Sequence, residues 1–293
     1  MRKRLALLTA AIAGALTIGT ASPAGAITGN YQKDFVHDYV GLLVFYTTPD
    51  PETGDPFSHR CSGTLISPTV IVTAGHCTEG VDEGRVYFQQ SVAPNYDPAA
   101  FGGWGGDPTT GYPYQNGITF SRADNYGFHD FEGYPENRDV GVVVLDRPYT
   151  PPSGQFGLLP EAGAIDAYLA QAGSKKNARF VTSGYGVTDQ EPVQISFRER
   201  LMAEAYLVEN TSSVTPYNLK TTANPAQGKG GSCNGDSGGP VFFKGTRIIA
   251  AVVSFGMKMN DPSGSCRTRS AAGSCSHAGN PRGARLRRHP VPA

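Results

Sequence analysis

The sequence predicts an all-β protein, built as one large β domain or as two small barrels. Three observations carry that expectation. Short Val- and Ile-rich runs recur at residues 39–46, 70–73, 140–145, 179–183 and 247–255, with the length and composition of buried strands. The segments between them are polar and rich in Gly and Pro, and long amphipathic helical patterns are few. Once an N-terminal leader is set aside, 267 residues remain, ample for a core. The pattern alone leaves barrel and sandwich both open. Residues 164–170 stand apart as a short helix or turn.

The leader is residues 1–26. Met1-Arg2-Lys3-Arg4 is a charged start, residues 5–18 are apolar, and Ala24-Gly25-Ala26 fits the small-x-small rule for cleavage. The apolar run is short and broken by Gly and Thr, and no later segment has the length to span a bilayer. The mature chain is therefore expected to be secreted, extracellular and free of the membrane. Five cysteines in an exported chain point to disulfides. No paired short Cys/His spacing points to a metal, and neither metal nor cofactor is expected.

The formal net charge of zero conceals an uneven distribution. Arg2, Lys3 and Arg4 lie in the leader, and residues 267–293 hold six arginines and no acids. Residues 27–266 thus carry 16 basic side chains against all 25 acidic ones, a net −9. So acidic a body excludes nucleic acid as a partner.

Three segments carry chemistry. Gly235-Asp236-Ser237-Gly238-Gly239-Pro240 sets a serine on a tight turn, where backbone N–H groups can face a developing oxyanion. Thr73-Ala74-Gly75-His76-Cys77 offers an imidazole. Asn137-Arg138-Asp139-Val140 leads into Gly141-Val142-Val143-Val144-Leu145 and offers a carboxylate at the head of an apolar run. A serine hydroxyl is a weak nucleophile at neutral pH and needs a base beside it. An imidazole can take that proton and return it to a leaving amine, and a carboxylate fixes the imidazole tautomer. Singly, each segment fits a plain turn, a core histidine or a strand start. Together, in the order His, Asp, Ser, they fit one reaction. Residues 235–239 also satisfy the G-x-S-x-G elbow of α/β-hydrolases. That fold needs an apolar strand before the serine and a histidine after it. Here Gly228-Lys229-Gly230-Gly231-Ser232-Cys233-Asn234 leads in, and the later His277 and His289 lie in a tail without core-forming residues.

In all three segments the chain resembles the trypsin/chymotrypsin-like serine proteases, as a secreted, bacterial-looking member. The resemblance implies two antiparallel six-stranded β-barrels with the catalytic cleft between them. It covers residues 27–266, with a first barrel at 27–150, a long insertion at about 89–136, and a linker and second barrel at 151–266. It implies Ser237 as nucleophile, His76 as general base and acid, Asp139 as orienting carboxylate, and the N–H groups of Gly235 and Ser237 as the oxyanion hole. Gly231, Ser232 and Gly256 would line the specificity pocket, and Ser254, Phe255 and Gly256 would pair with substrate backbone. Ser254 would also bond Asp139. Gly231 stands where the trypsin branch has an aspartate, so cleavage is expected after apolar or aromatic residues. The family's disulfides correspond to Cys61–Cys77 and Cys233–Cys266, which leaves Cys275 over. Family activation corresponds to an Ile27 ammonium pairing with Asp236; Asn30 departs from the usual Gly. The partners implied are protein or peptide substrates and proteinaceous inhibitors, met by a monomer.

The insertion holds the single tryptophan, Trp104, and is expected to be surface ornament or a rim on the cleft. Asn210-Thr211-Ser212 is a glycosylation triplet of a common kind. Past Cys266 the resemblance stops. Residues 267–293 lack Asp, Glu, Lys, Ile, Phe, Tyr and Trp and are expected to be disordered. Arg/Ala/Gly/Pro richness of this kind is what GC-rich codons give when read out of frame. The closing strand and the C-terminal helix of the second barrel are therefore in doubt. An alternative to the active endopeptidase is a catalytically impaired or purely binding product of the same fold.

Overall fold

A computed structural model describes residues 27–47, 57–81, 83–92, 117–126, 128, 138–187, 198–210, 218–221, 230–255 and 276–279. The described residues are all-β apart from two short helices. Six strands form a closed barrel: β3 (Val40–Tyr46), β4 (Phe57–Leu65), β5 (Val70–Thr73), β6 (Glu83–Tyr87), β7 (Ile118–Asn125) and β8 (Gly141–Leu145). They pair antiparallel in the order β3-β4-β5-β8-β7-β6, and β6 closes on β3. All seven residues of β3 are buried, which explains its continuous apolar run. β8 alternates buried and half-buried residues along Gly141–Leu145, the period of a strand with one face inward.

The second sheet is ordered β11 (Asn218–Thr221), β15 (Ser276–Gly279), β14 (Ile249–Phe255), β13 (Pro240–Phe243), β9 (Arg179–Gly184), β10 (Leu201–Glu209) and β2 (Tyr31–Lys33). β11 also pairs with β10, so the sheet curls back on itself. Phe180, Leu207, Leu219, Val241 and Phe243 lie in its core, and α2 (Ala164–Ala172) packs against that cluster. Gly163 and Gly173 bound the helix in left-handed conformations, and the Gly173 N–H reaches the Leu169 carbonyl, a cap that only glycine makes without steric cost. Tyr168 holds the helix to β9, donating to the Arg179 carbonyl at 2.7 Å and accepting from its N–H at 3.0 Å.

Three boundaries differ from the sequence expectation. β1 (Thr28–Gly29) pairs with β12 (Gly230–Gly231), and β2 pairs with β10. Residues 28–29 therefore form a small two-stranded sheet of their own with β12, and residues 31–33 join the edge of the second sheet; neither belongs to the first barrel. Residues 118–125, inside the expected insertion, form barrel strand β7; the Gly- and Tyr-rich flank at 101–116 hid it. Ser276–Gly279, inside the stretch expected to lack order, forms β15 between β11 and β14. Strand pairing asks only for backbone N–H and C=O groups, so poor core composition does not forbid it. Trp104, Gly256, Cys266 and Cys275 lie outside the described residues, as does all of the glycosylation triplet but Asn210.

Polar side chains bind the two sheets. Arg200 is buried and donates to the carbonyls of Val40 (3.2 Å), Phe88 (2.9 Å) and Asp34 (3.2 Å). The Tyr185 hydroxyl donates to the Gln89 carbonyl at 2.6 Å. Asp34, fully buried, accepts from the His37 ring at 2.9 Å, the His37 amide at 3.0 Å and the Ser183 hydroxyl at 2.5 Å. The His37 ring stacks on Phe242. Burial acts to raise the Asp34 carboxyl, but the hydrogen bond and charge of His37 and the Ser183 hydroxyl outweigh it and lower the pKa to about 2. A depressed carboxylate contributes stability above its unfolded pKa and loses it as pH falls through the folded one. Denaturant unfolding at pH 6, 4 and 2 should thus show the wild type exceeding Asp34→Asn by a margin that shrinks by about 2 kcal/mol between pH 4 and pH 2. A constant margin would show that the Asp34 charge contributes nothing.

Candidate active site

The imidazole of His76 lies in α1 (Gly75–Thr78), a single turn after β5. Gly75 is obligatory there, because a Cβ would meet the Phe128 Cβ at 2.7 Å and the Asp139 carboxylate at 3.2 Å. The Cys61–Cys77 disulfide ties the turn to β4. Asp139 lies two residues before β8, which pairs with β5, so the barrel register brings acid and imidazole together. Asp139 is fully buried, and His76 keeps a fifth of its side chain exposed. One carboxylate oxygen accepts the His76 amide at 2.7 Å and the other the His76 ring Nδ1 at 2.7 Å. The Ser254 hydroxyl donates to that second oxygen as well. Burial alone would raise the Asp139 carboxyl, but His76, by hydrogen bond and charge, and Ser254 together hold it below the usual carboxylate range. An ionised acid on Nδ1 orients the ring so that Nε2 points away from the carboxylate.

Ser237 sits half-buried between the buried Asp236 and Gly238. Its carbonyl accepts the Ser62 N–H from β4 at 2.7 Å, and the Gly238 N–H donates to the Val253 carbonyl of β14 at 2.7 Å. The serine is thereby fixed between the strand carrying Cys61 and the strand carrying Ser254. A Cβ on Gly238 would lie 1.9 Å from Thr73 Oγ1 and 2.7 Å from the Ala74 amide nitrogen. The serine loop therefore abuts the residues that lead into His76. Gly235 has φ +92°, open to glycine and strained for other residues. Its carbonyl accepts the Ser62 hydroxyl at 2.9 Å.

Asp236 organises this loop. It is fully buried, and its carboxylate accepts the Gly186 N–H at 2.7 Å and the Cys233 N–H at 2.8 Å. Burial pushes its pKa up to about 7, against the pull of the two amides and of the Arg60 charge. Gly231 and Ser232 are buried beside it, and Cys233 is held in a disulfide; the expected partner, Cys266, lies outside the described residues. Ile27 is completely buried against Leu201 and Ala203, and the next residue, Thr28, pairs with Gly231. Ser254 and Phe255 end β14, and Gly256 lies outside the described residues.

Several residues that shape the site carry no sequence signal. The Phe128 ring lies 5.9 Å from that of His76. Asn125 fastens Phe128, accepting its N–H at 2.8 Å and donating to its carbonyl at 3.0 Å. Ser62 bridges Gly235 and the Tyr185 amide. The only group of potential metal donors among the described residues is Cys61, His76 and Cys77. Its two sulfurs are joined to each other, which removes them as thiolate ligands.

A closed barrel and a second curled sheet, with an imidazole–carboxylate pair where they meet, define a trypsin/chymotrypsin-like serine protease. The family model described as Trypsin matches residues 44–271, and the chain belongs to that family. It is similar to trypsin zeta of Drosophila melanogaster, 28% identical over 253 residues, covering 80% of this chain and 78% of that protein. Chymotrypsin-like elastase family member 1 of Bos taurus is 28% identical over 212 residues, covering 70% and 71%. The solved structure of HL collagenase aligns with a TM-score of 0.59 at 17% identity, covering 87% of this chain and 93% of that one, a likeness of fold. The chain is thus an enzyme of the serine-protease class, acting on protein.

The packing around Asp236 predicts a sensitive position. A Cβ on Gly186 would lie 2.5 Å from the Asp236 carboxylate and 2.7 Å from its amide nitrogen. Gly186→Ala should lower stability by about 3 kcal/mol and reduce the fraction of titratable active sites. Unchanged values for both would mean that the loop does not depend on this contact.

Proposed function

We propose that the chain is a secreted endopeptidase that hydrolyses peptide bonds through an acyl-enzyme on Ser237. Supporting it above all is the ionised Asp139 on Nδ1 of His76, beside a serine fixed between β4 and β14. His76 takes the Ser237 proton and returns it to the leaving amine, Asp139 holds the ring, and the N–H groups of Gly235 and Ser237 receive the oxyanion. Ser237→Ala should abolish labelling by a fluorophosphonate. Asp139→Asn should lower kcat by roughly 10⁴-fold near neutral pH, since it favours the wrong tautomer. Labelling that persists in Ser237→Ala would assign the nucleophile elsewhere.

The pocket reading favours apolar or aromatic residues before the scissile bond. Gly231 brings no charge to the floor, and a buried substrate cation without a partner is costly. The similarity to an elastase-named protein points the same way. Cleavage of a peptide library mainly after Arg or Lys would refute this.

Cleavage between Ala26 and Ile27 activates the enzyme as it is exported. Two observations support this. Ile27 has φ +67°, a conformation a β-branched residue rarely adopts, at a cost of about 1–3 kcal/mol. That torsion exists only while residue 26 is attached. Asp236, held near 7 by burial, would gain a charged partner in the new ammonium of Ile27. The sign of the pH effect follows. With a carboxyl raised from 3.8 to about 7, a form blocked at Ile27 should lose roughly 3 kcal/mol of stability as pH rises from 4 to 7. The form with a free ammonium should lose far less. N-terminal sequencing of the exported protein should read Ile27, and acetylation of that amine should restore the steep loss.

A further inference from the structure

Arg60 has no part in the reaction as described, yet its side chain lies over the serine loop. It is half-buried on β4, directly before Cys61 and opposite Val44. A Cβ on Gly235 would lie 3.4 Å from its Nε and 3.7 Å from its Nη2, so the guanidinium faces the outer side of that glycine. Its charge is felt at Asp236, the next residue. Two residues further along β4, Ser62 bonds the carbonyls of Gly235 and Ser237. One step from Arg60, Cys61 is joined to Cys77, the neighbour of His76. Arg60 therefore stands at the corner between the imidazole turn and the serine loop, on the first barrel.

We propose that Arg60 selects substrates with an acidic side chain on the leaving-group side of the scissile bond. The inference rests on the serine-protease reading above. The acyl half of a substrate follows Ser254 and Phe255, at the end of β14 in the second sheet. The leaving half departs from the side where His76 protonates its amine, against the disulfide and the β4 edge beside it. There a guanidinium offers a planar fork of donors matched to a carboxylate. The acidic body, net −9 over residues 27–266, repels acidic peptides in general. A preference for them at one position therefore needs a local cation, and Arg60 supplies it.

The test uses the exported protein and peptides identical except for Glu, Gln or Lys at the first or second position after the cleaved bond. At one of these positions kcat/KM should fall in the order Glu, Gln, Lys, with Glu about five- to tenfold above Lys at low salt and the ratio shrinking at high salt. Arg60→Glu should reverse the order and Arg60→Gln should flatten it. Ratios within one variant do not depend on how much of it is folded. A second arm loads the acyl-enzyme from a small ester and measures its partition to Glu-Ala against Lys-Ala and Ala-Glu against Ala-Lys amides, which occupy only the leaving side; the same order and the same reversal are expected at the position the first arm identifies. A Glu/Lys ratio unchanged between wild type and Arg60→Glu overturns the proposal while leaving the protease reading intact. Failure of the wild type to hydrolyse the small ester and to take the fluorophosphonate overturns both.

Discussion

The nucleophile loop is folded around one buried carboxylate. Asp236 has no exposed surface, and it takes N–H groups from Gly186 on one side and Cys233 on the other. Those bonds force the backbone inward, and the glycines around it follow from that demand. Gly184 and Gly186 have no room for a Cβ because the carboxylate fills it. Gly238 presses on Thr73 and Ala74. The loop can turn its serine outward only because its aspartate is turned in. The cost is a charge far from water, visible as a pKa pushed up to about 7.

The chain uses one hydrogen-bonding scheme twice. Asp139 accepts the amide and ring of His76 and the hydroxyl of Ser254. Asp34 accepts the amide and ring of His37 and the hydroxyl of Ser183. In each, a depressed carboxylate fixes an imidazole through Nδ1. What differs is the surroundings of the ring. His37 is closed in by Phe242 and Tyr39, and its cluster fastens the β2–β3 connection to β9 and β13. His76 keeps a fifth of its side chain exposed. Imidazole chemistry depends on access as much as on orientation, and the fold grants access to only one of the two.

How far the site was legible in the sequence varies with the origin of each contact. Strands β3, β5, β8, β9 and β14 were visible because their apolar runs are buried. β7 was not, since only Ile118 and Phe120 among its residues are fully buried and its flank reads as loop. The two-residue β1 and β12 are too short for any periodicity. The His76, Asp139 and Ser237 motifs were legible because each carries its own local turn chemistry. Arg60, Ser62 and Phe128 were not: their roles come from residues tens of positions away, brought close by the fold, and Asn125 matters only through Phe128, three residues on. The Cys61–Cys77 bridge followed from the family pattern and is present. β15 is not legible because the tail around it is poor in large apolar side chains, whereas its place in the sheet is taken by backbone groups.

Export and activation are linked, on the proposed reading, by the position of seven residues. Ile27 packs on Leu201 and Ala203 of β10, β1 pairs with β12 in a separate two-stranded sheet, β2 joins the second sheet through β10, and the Asp34–His37 cluster pins the chain directly after them. The start of the mature chain is thereby delivered to the serine loop. Two separate costs converge there, a left-handed torsion at Ile27 and an unneutralised carboxylate at Asp236. Hydrolysis of one peptide bond removes the torsion and creates a cation for the carboxylate. A bond beside a fully buried residue is hard to reach in the folded chain but open in an unfolded one crossing a membrane. On that proposed reading, the same burial that demands the cut favours its being made before folding, and the chain would fold directly into its active form.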